Sequence, residues 1–110
     1  MRRGRLSLVF LVSAGCAGGL GEGEADFKNG RYPEAKQSFS MLEAESRGYG
    51  PAKRAEYSLY RGLTLAALGD RGQADVWLRE AVVIEAAHPG ALSDEDRSRL
   101  KLAIDANQPP

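Results

Sequence analysis

Two side chains in this sequence could lead nucleophilic or metal chemistry: the single cysteine, Cys16, and the single histidine, His88. A thiol nucleophile needs a base within hydrogen-bond reach, and a zinc site needs three or four His, Cys or carboxylate ligands. No second cysteine or histidine backs either residue. The acidic run Asp94-Glu95-Asp96 offers oxygen ligands, but it follows Ser93 and opens an apolar-periodic stretch. That pattern reads as a helix start, in which the serine hydroxyl accepts a backbone N–H and the acids face the positive helix end. The glycines at 18, 19, 21 and 23 precede no strand, so they form no phosphate-cradling loop. The sequence therefore predicts no catalytic residue, no metal and no cofactor.

The chain has 110 residues, which suits one domain. Its 15 basic and 15 acidic residues cancel, and no basic stripe marks a nucleic-acid surface. Aromatic residues are 7% and alanine is plentiful, a composition suited to close helix–helix packing rather than to sheets. One cysteine permits no internal disulfide, so its position says more than its number.

Arg2, Arg3 and Arg5 make a basic start, and Leu6 to Ala14 is an apolar run. The run is far short of the ~20 residues that span a bilayer. It fits the hydrophobic region of a signal peptide. It ends Ser13-Ala14-Gly15-Cys16, which resembles the bacterial lipobox. The resemblance implies cleavage before Cys16, acylation of its thiol, and anchoring of the mature chain to a membrane. Ser13 stands where the lipobox usually has leucine. Cleavage nearby without acylation, as in ordinary secretion, is the alternative. Ala17 is not acidic, which by the same family rule favours the outer membrane, facing the periplasm, over the inner membrane.

Positioning any partner surface falls to the elements that follow. Residues 1–15 are assigned to the signal peptide, 16–24 to the lipidated cysteine and a flexible glycine-rich tether, 25–107 to a helical domain, and 108–110 to a disordered tail. From Ala25 the pattern is all-α, with about four to five helices. A first helical turn stops at Asn29-Gly30. A second helix runs from Pro33 to about Arg47 with Ala35, Phe39, Leu42 and Ser46 along one face. A third spans about Pro51–Leu68 with Ala52, Ala55, Leu59, Gly62, Leu63 and Ala66 on one side. A fourth, about Gly72–Ala87, presents Ala74, Trp77, Leu78, Ala81, Val82 and Glu85 on one side, with Val83 and Ile84 widening the apolar face. The last runs from Asp94 to about Ala106 with Leu100, Ala103 and Ile104 inward. Gly62 in mid-helix costs ~1 kcal/mol against alanine, and close approach of a neighbouring helix is the compensation expected.

Two segments echo each other. Gly30-Arg31-Tyr32-Pro33-Glu34-Ala35, then Phe39, is matched by Gly69-Asp70-Arg71-Gly72-Gln73-Ala74, then Leu78. Both resemble the middle of a tetratricopeptide (TPR) repeat. Tyr57, Leu59, Tyr60, Gly62, Leu63 and Leu65 resemble its first helix. The two glycines lie 39 residues apart, from 30 to 69, against the usual ~34 of the family. The repeat-signature residues are Gly30, Tyr32, Ala35, Phe39, Gly62, Gly69, Ala74 and Leu78. Glycine permits a left-handed residue at the turn, and the small alanine lets the paired helices approach.

The resemblance implies a TPR-like module that recognises other proteins. Tyr57, Tyr60 and Trp77 are the candidates for a partner-facing surface, with core filling as the alternative for each. Leu59 and Leu63 occupy the positions where some family members carry polar clamps for a peptide carboxylate, so that specificity is not implied. The expected function is a lipid-anchored envelope adaptor or scaffold in envelope assembly, secretion or motility, with other envelope proteins as partners. The alternative is a secreted periplasmic accessory subunit that regulates a partner enzyme and carries no lipid.

Overall fold

The computed structural model describes the backbone of residues 12–109 and side chains from Gly19 onward. The signal-peptide assignment lies largely, and the Cys16 side chain wholly, outside the described residues. Six helices and no strand are present among the described residues: α1 (Val12–Lys28), α2 (Tyr32–Met41), α3 (Glu43–Ser46), α4 (Pro51–Ala67), α5 (Arg71–Ala87) and α6 (Asp94–Ala106).

The ends of these helices follow from local chemistry. Gly30 (φ 77°) and Gly69 (φ 85°) take the left-handed conformation that ends α1 and α4. Pro33 and Pro51 sit in the first turns of α2 and α4, where a missing N–H costs nothing. Asp70 caps α5 by accepting from the Gln73 N–H at 3.2 Å, and Ser93 caps α6 by accepting from the Asp96 N–H at 3.1 Å.

The short turns fold α1 onto α2 and α4 onto α5 as helical hairpins, and the second hairpin has the most extensive interface in the molecule. The α2 helix also packs on α4, and α6 closes against α4 and α5. The central α4 is therefore covered on several sides. Ala55, Tyr57, Ser58, Leu59, Tyr60, Gly62, Thr64 and Leu65 are all buried, a wider belt than one amphipathic stripe.

Three sequence expectations are corrected. Residues 16–24 do not form a loose tether throughout. After Gly19 (φ 43°, ψ −137°), which interrupts α1, the segment from Leu20 is helical and Leu20 is in the core. The single helix expected from Pro33 to Arg47 breaks at Leu42 into α2 and the one-turn α3. There Ser46 Oγ donates to Glu43 O at 2.6 Å and accepts from Arg54 at 2.9 Å, which ties α3 to α4. Finally, Val82 and Val83 do not face inward. They are 43% and 66% exposed, because no helix covers that side of α5.

The break around Leu42, α3 and the loop to Pro51 join the first hairpin to the second. The hairpins obey one 39-residue register: α1 and α4 end at 28 and 67, and α2 and α5 begin at 32 and 71.

Candidate functional site

The repeat-signature residues converge on the two hairpin seams. Ala35 and Phe39 of α2, and Ala74 and Leu78 of α5, are fully buried. A Cβ added to Gly62 would come within 2.8 Å of Leu78 Cγ and Cδ2, so α5 approaches α4 as closely as a bare glycine allows. Gly23 stands 39 residues before Gly62, and a Cβ there would lie 2.7 Å from Phe39 Cε1. Gly23 thus does in α1 what Gly62 does in α4. Tyr32, which has Arg71 as its counterpart, is half-buried beside Phe27, with ring centroids 5.6 Å apart.

Of the partner-facing candidates, Tyr57 and Tyr60 are 0% and 1% exposed and so present no aromatic surface to a partner. Tyr57 links three elements. Its hydroxyl donates to Phe39 O at 2.7 Å and accepts from Arg61 Nη1 at 2.8 Å, and its ring meets Phe39, Tyr49 and Trp77 edge-on. Trp77 is only partly buried, packed under the Arg61 guanidinium at 4.3 Å from the ring centroid. Arg61 also pairs with Glu43 at 3.0 Å, which holds that carboxyl below the usual range. This cluster bolts the first hairpin to the second.

A polar cluster occupies the layer formed by α1, α4 and α6. Tyr60 Oη donates to Asp96 Oδ1 at 2.8 Å, and Arg99 Nη1 donates to the same oxygen at 3.0 Å. Burial first, and then the Asp96 carboxylate, raise the Tyr60 pKa. Phe27 packs edge-on to Tyr60 at 5.8 Å, and Lys28 Nζ stands 5.4 Å from the Tyr60 centroid. Beside them Glu24 of α1 faces Glu56 of α4. Burial, then the hydrogen bond and charge of Glu56, push the Glu24 carboxyl up to about 8, while Lys28 opposes the shift. Glu24 Oε2 is buried with no hydrogen-bond partner. A proton on Glu24 removes its buried charge and supplies a hydrogen that can be donated towards Glu56.

Glu24 and Glu56 escaped the sequence reading, and Asp96 was read only as a first-turn acid of its helix. The signal for Glu24 was present: continuing the register backward pairs Gly23 with Gly62 and Leu20 with Leu59, which places Glu24 on a packed helix. Chemically, the layer can hold a proton and offer a mixed-charge surface to a polypeptide. Among the described residues no group of three or more His, Cys, Asp and Glu is placed to hold a metal ion. His88 is exposed at the end of α5, and Asp94 and Glu95 are exposed in the first turn of α6. No helix of the described residues is long and apolar enough to cross a membrane. Comparison with protein-family models, with curated proteins and with solved structures finds no match to this chain.

Proposed function

We propose that this protein is a lipid-anchored adaptor of the bacterial cell envelope, which binds other envelope proteins through a short TPR-like module and carries out no catalysis itself. The observation that supports the reading most is the shared register of the two hairpins. Gly23 against Phe39 and Gly62 against Leu78 are the same close contact made twice, 39 residues apart. Modules of this kind stack units side by side and so display an extended surface on which another chain can lie. Ser13-Ala14-Gly15-Cys16, after a short apolar run, supplies the anchoring half of the proposal. Two or more acyl chains at Cys16 hold a protein on a bilayer where one chain gives only marginal binding. The anchor places the module at the membrane, on this reading the outer membrane facing the periplasm. Little slack remains: only Ala17, Gly18 and Gly19 separate Cys16 from the packed helix that starts at Leu20. Three residues reach at most ~11 Å, so the module lies close to the headgroups.

Metabolic labelling with a fatty-acid analogue tests the anchor. The wild-type chain takes up label, and Cys16→Ser does not. Ser13, where the lipobox usually has leucine, favours a second reading, in which the chain is cleaved without acylation and acts as a soluble periplasmic subunit. Mass spectrometry of the mature N-terminus separates the two. An unacylated terminus at or near Cys16 establishes the second reading and rejects the first.

A further inference from the structure

The α5–α6 end of the molecule carries a groove of about 430 Å³ that no helix fills, floored by Val82, Ala86, Leu100 and Ile104. Lys101 and Asp105 stand at its rim, and neither makes an ion pair among the described residues. Val82, on the groove floor, is 43% exposed.

The register shows what shape this groove takes. Counting back 39 residues from Arg97, Leu100 and Lys101 gives Ser58, Arg61 and Gly62. In the preceding unit those residues are covered by α5. Ser58 Oγ meets Glu80 at 3.1 Å, Arg61 stacks on Trp77 at 4.3 Å, and Gly62 touches Leu78. The groove therefore lies on the face of α6 that corresponds to the α5-covered face of α4, with Lys101 where α4 has its bare glycine, so a helix antiparallel to α6 lies on it beside the Lys101 side chain and less closely than α5 lies on α4.

The charges show which helix. Lys101 and Asp105 are one helical turn apart on the same side of α6. In an antiparallel pair of α6 helices with a two-fold axis at the level of Ala103, Lys101 of each copy falls opposite Asp105 of the other. Such an interface is self-complementary, as a two-fold dimer requires. We propose that a second copy of this chain fills the groove with its own α6, forming a two-fold dimer closed by reciprocal Lys101–Asp105 pairs over the apolar seam of Val82, Ala86 and Ile104.

Sedimentation equilibrium of the full chain in density-matched detergent tests this. The wild type sediments as a dimer at micromolar concentration. Lys101→Glu, and separately Asp105→Lys, set like charges against each other at two places in one interface and weaken the dimer roughly tenfold. The double variant Lys101→Glu, Asp105→Lys restores the pairs with signs exchanged and recovers wild-type association. Both residues are exposed, so far-UV circular dichroism stays unchanged throughout. A monomeric wild type overturns the proposal and leaves the groove to a helix of another protein. A dimer indifferent to all three variants overturns it equally, because that dimer uses another face.

Discussion

Gly62 and Leu78 meet more closely than any side chain on position 62 would allow, since an added Cβ would sit 2.8 Å from both Cγ and Cδ2 of the leucine. Gly23 and Phe39 repeat the relationship one unit earlier. The missing side chain is the means by which each hairpin closes.

Alanine at these glycines is therefore expected to destabilise the fold. Gly62→Ala forces Leu78 off its position at a cost of about 1–3 kcal/mol, set against about 1 kcal/mol regained in helix propensity. Gly21, in the same helix as Gly23, has nothing within 4 Å of an added Cβ and no left-handed backbone. Gly21→Ala should instead stabilise by about 0.5–1 kcal/mol. Urea denaturation of the two variants reads the opposite signs directly.

Tyr57→Phe tests the bolt between the hairpins. It removes the hydroxyl that serves Phe39 O and Arg61, leaving that carbonyl only the Leu42 N–H at 3.1 Å and taking one acceptor from Arg61. The expected loss is about 1–2 kcal/mol. Tyr32→Phe, at a half-buried position, should stay within about 0.5 kcal/mol of wild type. Thermal unfolding of the pair separates a hydrogen-bonding role from simple aromatic filling.

The Glu24–Glu56 contact makes stability depend on pH. The folded state holds the Glu24 proton up to about 8, whereas an ordinary glutamate loses it near 4.5. The stability from this group is complete below 4.5 and is lost as the pH rises to about 8, because the unfolded chain ionises first. Lys28, Asp96, Tyr60 and Arg99 share the layer, and solvent reaches Glu24, so the change is roughly 1 kcal/mol rather than the full shift. Glu24→Gln should flatten that limb of the curve. Glu43 and Glu85 run the other way. Arg61 depresses the first, and the backbone N–H groups of Leu92 and Gly90 depress the second, so their contribution fades as the pH falls below the ordinary carboxylate range. Denaturant midpoints from about pH 2 to 9, for wild type and Glu24→Gln, check both limbs.

Much of the architecture was legible because turns and caps are local. Asn29-Gly30 and Gly69-Asp70 end helices at the positions read from sequence, and Ser93 caps α6 as its spacing to Asp96 suggests. The glycines before Ala25 misled for a physical reason. Helix propensity counts Gly21 and Gly23 as breakers, while packing against Phe39 rewards the absence of a side chain at 23. Tyr57 and Tyr60 misled in the opposite direction. An aromatic on a helix is exposed or buried according to how many neighbours the helix has, and α4 is packed by α1, α2, α5 and α6.

The residue order alone determined helices α4, α5 and α6, the glycine turns before α2 and α5 and the echo between the two hairpins, because those features depend on backbone angles and hydrogen bonds within a few residues of each site. Only the tertiary structure decided which faces meet water. Burial of Tyr60 depends on Asp96 and Phe27 arriving from distant parts of the chain, and exposure of Val82 depends on no helix lying across it. The proton on Glu24 belongs to the same class, since it exists only where folding brings Glu56 alongside and removes the water that would otherwise solvate both charges.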